Sequence, residues 1–288
     1  VALGRIHRDL DHHKLALFYF TKAVTLEPWH TDYLYEQGVA LRQQGEFPSA
    51  LAVFNKIIHS APRMARAYSQ RGGIYQARGD TLLALADYNK ALEYNPYDIE
   101  AYNQRGWFHI EQENFKDGVL DFNKMIDLQP HSVVAYNNRG LALLRMKQYA
   151  LALKDFNTAV SFGPQVGQLY VNRGQVHEEL KNWRQAREDY RRAIELNPQD
   201  PAGYIQLGFL DMKFRNFAVA QRRLDQAVDL QPDASDARYH RALLYYATER
   251  YAEAYQDLLA AHRLGYAPAK DFLPKVTPQI STPLTEKP

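Results

Sequence analysis

Apolar residues recur at three- and four-residue steps along most of the chain, as in residues 101–113 and 115–128, so that they share one stripe of a helix. Short polar breaks separate these stretches. Asp98, Ser132 and Asp200 stand where a first helix would begin and are suited to cap it, with Pro201 at the tolerated first helical position. Asp80, Asn114, Asn182 and Asn216 stand in the equivalent place before a second helix, and Gly45 and Gly79 can end the first one in left-handed geometry. The pattern predicts pairs of helices of about 12–15 residues joined by tight turns.

The pairs recur with a fixed period. Pro28, Pro62, Pro96, Pro130, Pro164, Pro198 and Pro232 are spaced by 34 residues, and so are Gly4, Gly38, Gly72, Gly106, Gly140, Gly174 and Gly208. An alanine series runs from Ala16 to Ala254, interrupted once by Gly118, and an aromatic series runs Phe20, Phe54, Tyr88, Phe122, Phe156, Tyr190 before ending in Leu224 and Leu258. No insertion breaks the register. A glycine inside a helix costs about 1 kcal/mol relative to alanine, so a glycine in the same helical slot seven times predicts close packing there. The proline falls just past the second helix, which it could not have continued.

A 34-residue helix–turn–helix unit with Gly at position 8, Ala at 20, Phe or Tyr at 24, Ala at 27 and Pro at 32 resembles the tetratricopeptide repeat. Tyr170, Gly174, Ala186, Tyr190, Ala193 and Pro198 carry the likeness in one unit, and Tyr102, Gly106, Phe122 and Pro130 in another. It implies an all-α fold, a right-handed α-solenoid superhelix of about eight repeats that bury their apolar faces on one another. The units are expected at about 1–30, 31–64, 65–98, 99–132, 133–166, 167–200, 201–234 and 235–268. The first lacks its leading residues, which predicts that the intact protein extends upstream. Residues 269–288 are expected to form a short capping helix over 269–273 followed by an extended, proline-rich tail from Pro274 to Pro288.

Arginine precedes the glycine at Arg71, Arg105, Arg139, Arg173 and Arg241, and aspartate precedes the second-helix aromatic at Asp87, Asp121, Asp155, Asp189 and Asp257. The two series skip the same units: Leu207 stands with Arg223, and Gln37 with Val53. Pairing within each unit leaves no orphan, whereas pairing across units opposes arginine to Arg223. Five intra-repeat Arg–Asp bridges are therefore expected, and an arginine so paired has little capacity left for a ligand.

In superhelices of the family that this chain resembles, the first helices line the concave groove, chiefly through positions 2, 5, 6, 9, 12 and 13. Position 6 reads Gln70, Gln104, Asn138, Asn172 and Gln206, five successive amides that can satisfy the backbone of an extended peptide. The row is similar to the asparagine ladder in the helical-repeat domain of O-GlcNAc transferase, with the residue type matched at Asn138 and Asn172. Positions 9 and 12 supply Trp107, Ile110, Leu141 and Leu144, then Phe209, Met212, Leu243 and Tyr246, with Gln175 and Glu178 between them. Facing the groove, they would form two apolar patches around a polar saddle; folded down, they would pack between repeats. The carboxylate clamp of heat-shock-chaperone adaptors is not reproduced, because around Asn138 its basic positions hold Asn103, Gln168 and Asn172, and Trp107 stands where the clamp has an asparagine.

Composition adds exclusions. The 288 residues carry a formal charge of +2, which gives no global basic field for nucleic acid or an anionic membrane. No apolar run reaches the length of a membrane span, and there is no cysteine for disulfides, thiolate metal sites or nucleophilic catalysis. Phosphate loops, nucleophile elbows and H-E-x-x-H are missing; the run from His177 to Lys181 fails at its last residue. His7, His109 and His177 share one register but lie units apart, so no metal or other cofactor is expected. The expected function is noncatalytic binding of a partner protein or peptide in the groove. Two alternatives stand beside it: a substrate-recruiting or regulatory domain of a larger enzyme, and a self-associating module that docks through its tail or open first unit. A cytoplasmic and a bacterial periplasmic or exported setting both suit this composition.

Overall fold

A computed structural model describes residues 1–281, and over these the chain is built of helical hairpins. It divides into two compact units, Val1–Ala142 and Leu143–Pro288. In the first unit the first and second helices alternate as α1 (Ala2–Asp9) and α2 (His13–Leu26), α3 (Thr31–Gln43) and α4 (Phe47–Ser60), α5 (Ala65–Ala77) and α6 (Thr81–Tyr94), and α7 (Ile99–Glu111) and α8 (Phe115–Leu128). The division falls within α9 (Val133–Arg145). The second unit continues through α10 (Tyr149–Phe162), α11 (Gly167–Glu179), α12 (Trp183–Leu196), α13 (Pro201–Lys213), α14 (Phe217–Leu230), α15 (Ser235–Ala247), α16 (Tyr251–Arg263) and α17 (Ala267–Ser281). About eight helix–turn–helix repeats of an α-solenoid account for the pattern.

Each periodic residue has a packing reason. The position-8 glycine sits under the second-helix aromatic of its own repeat. A methyl on Gly106 would meet Phe122 Cε1 at 2.6 Å, and one on Gly38 would meet Phe54 Cζ at 2.8 Å. Those rings are fully buried, and so is Ala50, four residues before Phe54. The turn between helices places one residue per repeat in the left-handed region. Gly45 (φ 78°) and Gly79 (φ 80°) fill that slot in two repeats, whereas Asp11, Glu113, Lys147, Lys181, Arg215 and Glu249 take it with φ of 56–60°. The turn geometry thus imposes itself on residues that disfavour it.

The caps differ from expectation in part. Asp98 and Asp200 accept hydrogen bonds from the amides of Ala101 and Ala202, and Ser132 Oγ accepts from the amide of Ala135. Asp80, Asn114, Asn182 and Asn216 occupy the N-cap position of their helices but make no side-chain cap. Their ψ of 56–64° departs from the extended value that aims a capping oxygen at the free amides, which Asp98 and Asp200 approach at 96° and 120°.

The arginine ladder is present and is richer than expected. Arg71, Arg105, Arg173 and Arg241 each pair with the aspartate of their own repeat, Asp87, Asp121, Asp189 and Asp257, at 2.6–2.9 Å through Nε and Nη2. Arg139 and Asp155 belong to different units. The remaining Nη1 of each arginine donates backward to the preceding repeat: Arg71 to Asn55, Arg105 to Asn89, Arg139 to Asn123, Arg173 to Asn157 and Arg241 to Asp225, at 2.6–3.1 Å. The guanidiniums of Arg71, Arg105, Arg173 and Arg241 therefore each fasten their own second helix and also the repeat before it. Repeat seven inverts the polarity: fully buried Asp211 on α13 pairs with Arg223 of its own repeat and with Arg187 of α12 at 2.7 Å.

The C-terminal end corrects an expectation. No extended tail begins at Pro274; α17 runs on through Pro274 and Pro278 to Ser281. Val276 and Ala269 are fully buried with Leu258 and Ala261, and Phe272 and Leu273 pack beside them. This burial outweighs the amide hydrogen bonds that the two prolines cannot make. Pro283 and Pro288 of the expected tail lie outside the described residues.

Candidate functional site

The first helices carry two depressions, one within each unit. In the first unit Arg42 of α3, Gly73, Gln76 and Ala77 of α5, Tyr88 of α6, and Asn103, Gln104, Trp107 and Glu111 of α7 enclose about 430 Å³. In the second unit the end of α9 (Leu144, Arg145), Lys147, Tyr149, α11 (Gln175, Glu178, Glu179) and α13 (Gln206, Phe209, Lys213) enclose about 570 Å³. The two are the same pocket, three repeats apart. Arg42 corresponds to Leu144, Gly73 to Gln175, Gln76 to Glu178, Gln104 to Gln206, Trp107 to Phe209, and Glu111 to Lys213.

The floor of both pockets follows from one substitution in the repeat. Where the second-helix aromatic is tyrosine rather than phenylalanine, its hydroxyl reaches a polar residue at position 12. Tyr88 donates to Gln76 Oε1 and Tyr190 to Glu178 Oε1, each at 2.6 Å. The position-12 side chain then meets position 13 of the next repeat: Gln76 Nε2 donates to Glu111 at 2.5 Å, and Lys213 Nζ donates to Glu178 at 2.6 Å. Burial pushes both phenols well above the usual tyrosine range, so each remains a donor. Glu178 is buried in this network and does not form the solvated saddle that its sequence position suggested.

The twelve residues expected to face a partner fall in different places. Gln104 and Trp107 line the first pocket, and Leu144, Gln206 and Phe209 the second. Gln70 lies on α5 and does not line the first pocket, and Oε1 atoms of both Gln70 and Gln104 are buried without a hydrogen-bond partner. Asn138 and Asn172 are buried. Asn138 donates to Asn103 Oδ1 at 2.7 Å, and Asn172 accepts from Gln168 at 2.9 Å. Leu141 is half-buried on α9. Ile110 packs with Phe122 and Met125, Met212 with Leu224 and Leu244, and Tyr246 against Tyr251 and Phe272 with ring centroids at 5.6 and 5.2 Å. Trp107 rests edge-on against Phe122 at 5.8 Å, while Phe209 lies between Lys213 Nζ at 4.8 Å and the His240 ring at 5.0 Å.

Sequence reasoning passed over Arg42, Gln76, Glu111 and Lys213, and considered Asn103 only as a clamp position. The usable signal was the joint change of positions 24 and 12, Tyr with Gln or Glu against Phe with an apolar residue or arginine. His109, His177 and His240 are held below the ordinary histidine range by burial, so they are neutral near pH 7. Among the described residues, no cluster of three His, Asp or Glu side chains could hold a metal ion, and no helix is long and apolar enough to cross a membrane.

Models of the tetratricopeptide repeat match residues 1–65 and 206–268, 65–98 and 133–165, and 167–200. The chain belongs to the tetratricopeptide repeat family. No curated protein matches this tetratricopeptide repeat array in sequence. Among solved structures, a tetratricopeptide repeat protein from Parabacteroides merdae superposes with TM-score 0.75 at 18% identity, covering 86% of this chain and 98% of that one. The crystal structure of yeast Tom70 gives 0.73 at 19% identity over 94% of this chain, and that of the APC/C hetero-tetramer Cut9–Hcn1 gives 0.66 at 16% over 92%. This chain spans only 60% and 52% of those two. At such identities the likeness is one of fold. A tetratricopeptide repeat array of this kind is, in general terms, a protein-interaction scaffold.

Proposed function

We propose that the chain is a noncatalytic scaffold that binds extended segments of a partner protein on its first helices, with one pocket in each unit serving as an anchor. The observation that carries this reading is the recurrence of one pocket in one register, each time with an aromatic wall, Trp107 or Phe209, and an amide, Gln104 or Gln206. Gln104 and Gln206 support it, because a side-chain amide on a pocket wall can both donate to and accept from a peptide backbone. Asn138, Asn172, Ile110, Met212 and Tyr246 are engaged inside the array, so they position the surface instead of touching the ligand.

The test is a random peptide library displayed against the full chain, with selected peptides measured by fluorescence polarisation. Trp107→Ala and Phe209→Ala should each weaken the peptides of their own pocket by about thirty-fold, the effect of removing a central aromatic anchor. Far-UV circular dichroism should stay unchanged. Selected peptides that bind both variants as tightly as the parent protein would refute the reading.

A further inference from the structure

Arg42 sets the two pockets apart. Arginines elsewhere on the first helices of the first unit are engaged: Arg71 and Arg105 in the ladder, Arg5 and Arg8 both with Glu36, and Arg66 with Asp32. Arg42 makes no hydrogen bond or ion pair among the described residues, and its Nε is buried without an acceptor. It is nonetheless held in place. Position 9, which carries a side chain in every other repeat (Arg5, Val39, Trp107, Leu141, Gln175, Phe209 and Leu243), is Gly73 in the next repeat, and a methyl on Gly73 would meet Arg42 Nη1 at 2.8 Å. The missing side chain is the seat of the guanidinium. Glu111, the carboxylate at the other side of the pocket, is held by Gln76 and forms no ion pair with Arg42.

A guanidinium carries five donors and no acceptor and is always charged, so one that is half-buried and unpaired is a ready partner for an anion. Resting on the proposed function, we propose that the first pocket recognises an acidic side chain, Asp or Glu, of the bound segment, with its carboxylate on Arg42 and a neighbouring apolar side chain against Trp107. A side chain fits better than a chain terminus. The pocket lining spans three successive first helices, α3, α5 and α7, so a segment runs through the site and does not end there. The second pocket is the built-in control: Leu144 replaces Arg42 and Gln175 replaces Gly73, which removes both the charge and its seat.

The same displayed library decides this. Peptides that depend on Trp107 should carry Asp or Glu at one fixed spacing from an apolar residue, whereas those that depend on Phe209 should not. For a Trp107-dependent peptide, Arg42→Gln and replacement of the acidic residue by its amide should each weaken binding about tenfold or more, and combining them should cost little further. Gly73→Ala, which displaces only the end of a flexible side chain, should cost the acidic peptide affinity and leave its amide counterpart unchanged. Trp107-dependent peptides without a fixed acidic residue would overturn the carboxylate assignment and leave the pocket reading standing. So would an acidic preference that survives Arg42→Gln, or binding that needs a free C-terminus. Peptides indifferent to both Trp107→Ala and Phe209→Ala, or no enrichment at all, would overturn both readings.

Discussion

Replacing Gly174 by alanine isolates the contact on which each repeat is built. The added methyl would lie 2.8 Å from Tyr190 Cδ1 and 3.0 Å from Cζ, with Cε1 closer still, where ordinary carbon contacts are about 3.5–4.0 Å. The ring cannot swing aside, because it is fully buried and its hydroxyl is fixed on Glu178 at 2.6 Å. Overpacking of this kind costs about 1–3 kcal/mol, and a pinned ring belongs at the upper end. Alanine recovers about 1 kcal/mol of helix propensity. The net expectation is a loss of about 1–2 kcal/mol. Gly208→Ala meets Leu224 Cγ at 2.9 Å instead, a branched aliphatic that can re-rotate, so its balance should lie near zero. The eighth repeat already carries that combination, Ala242 in the glycine slot with Leu258 in place of the aromatic. Urea unfolding followed by circular dichroism, with hydrogen exchange to localise the change because repeat arrays need not unfold in one step, would measure both variants. Gly174→Ala as stable as the parent, or no less stable than Gly208→Ala, would refute the pinned-ring account. Adding Tyr190→Leu to Gly174→Ala should relieve the clash.

Two further perturbations test the electrostatics. Arg105→Met strands buried Asp121 and removes the donor to Asn89, and should cost about 2–3 kcal/mol, below the value for a wholly buried pair because the Arg105 side chain is one-fifth exposed. Arg105→Met with Asp121→Leu should recover most of that, and a single variant within 0.5 kcal/mol of the parent in urea would contradict the expected role. His109, His177 and His240 have depressed pKa values from burial, so between the folded and the ordinary value the unfolded chain binds more protons and stability rises with pH. Their contribution should be complete above the ordinary histidine value of about 6.5 and decline as pH falls below it. His109→Gln with His177→Gln should flatten the dependence of the urea midpoint between about pH 7 and 5, and an unchanged slope would show that these two rings do not carry it.

What could be read from the sequence divides along physical lines. Gly106 under Phe122, and Arg105 with Asp121, were legible because both partners of each contact recur at a constant offset, so the pairing can be inferred from which repeats lack it. The backward bond from Arg105 to Asn89 has the same signature. Asn55, Asn89, Asn123 and Asn157 form a column that breaks at Arg191, just before the repeat where Leu207 replaces the arginine. The helix across Pro274 and Pro278 was not legible, since local propensity argues against it and the burial of Val276 that overrides it is a tertiary fact. Position 12 misled for a related reason. Whether Glu178 faces solvent or a tyrosine hydroxyl depends on one oxygen, the difference between Tyr190 and Phe156 in the same column.

Function follows from where the repeat departs from itself. Position 8, the second-helix alanine and the left-handed turn slot each answer to packing or backbone geometry inside one hairpin, and a change there strains every hairpin alike. Positions 9, 12 and 13 answer to less: after the second-helix ring is covered, the space above it accepts Gly73, Trp107, Gln175 or Phe209 without altering the fold. Chemical identity can therefore accumulate at these positions, and it has done so unevenly. Arg42 with Gly73 makes a charged seat from two departures that are each unfavourable alone, a half-buried unpaired guanidinium and a glycine inside α5. Leu144 with Gln175 makes neither, three repeats later on the same backbone. Packing does not require the first combination, since the second packs as well, so what accounts for Arg42 is an anion that the folded chain does not itself supply.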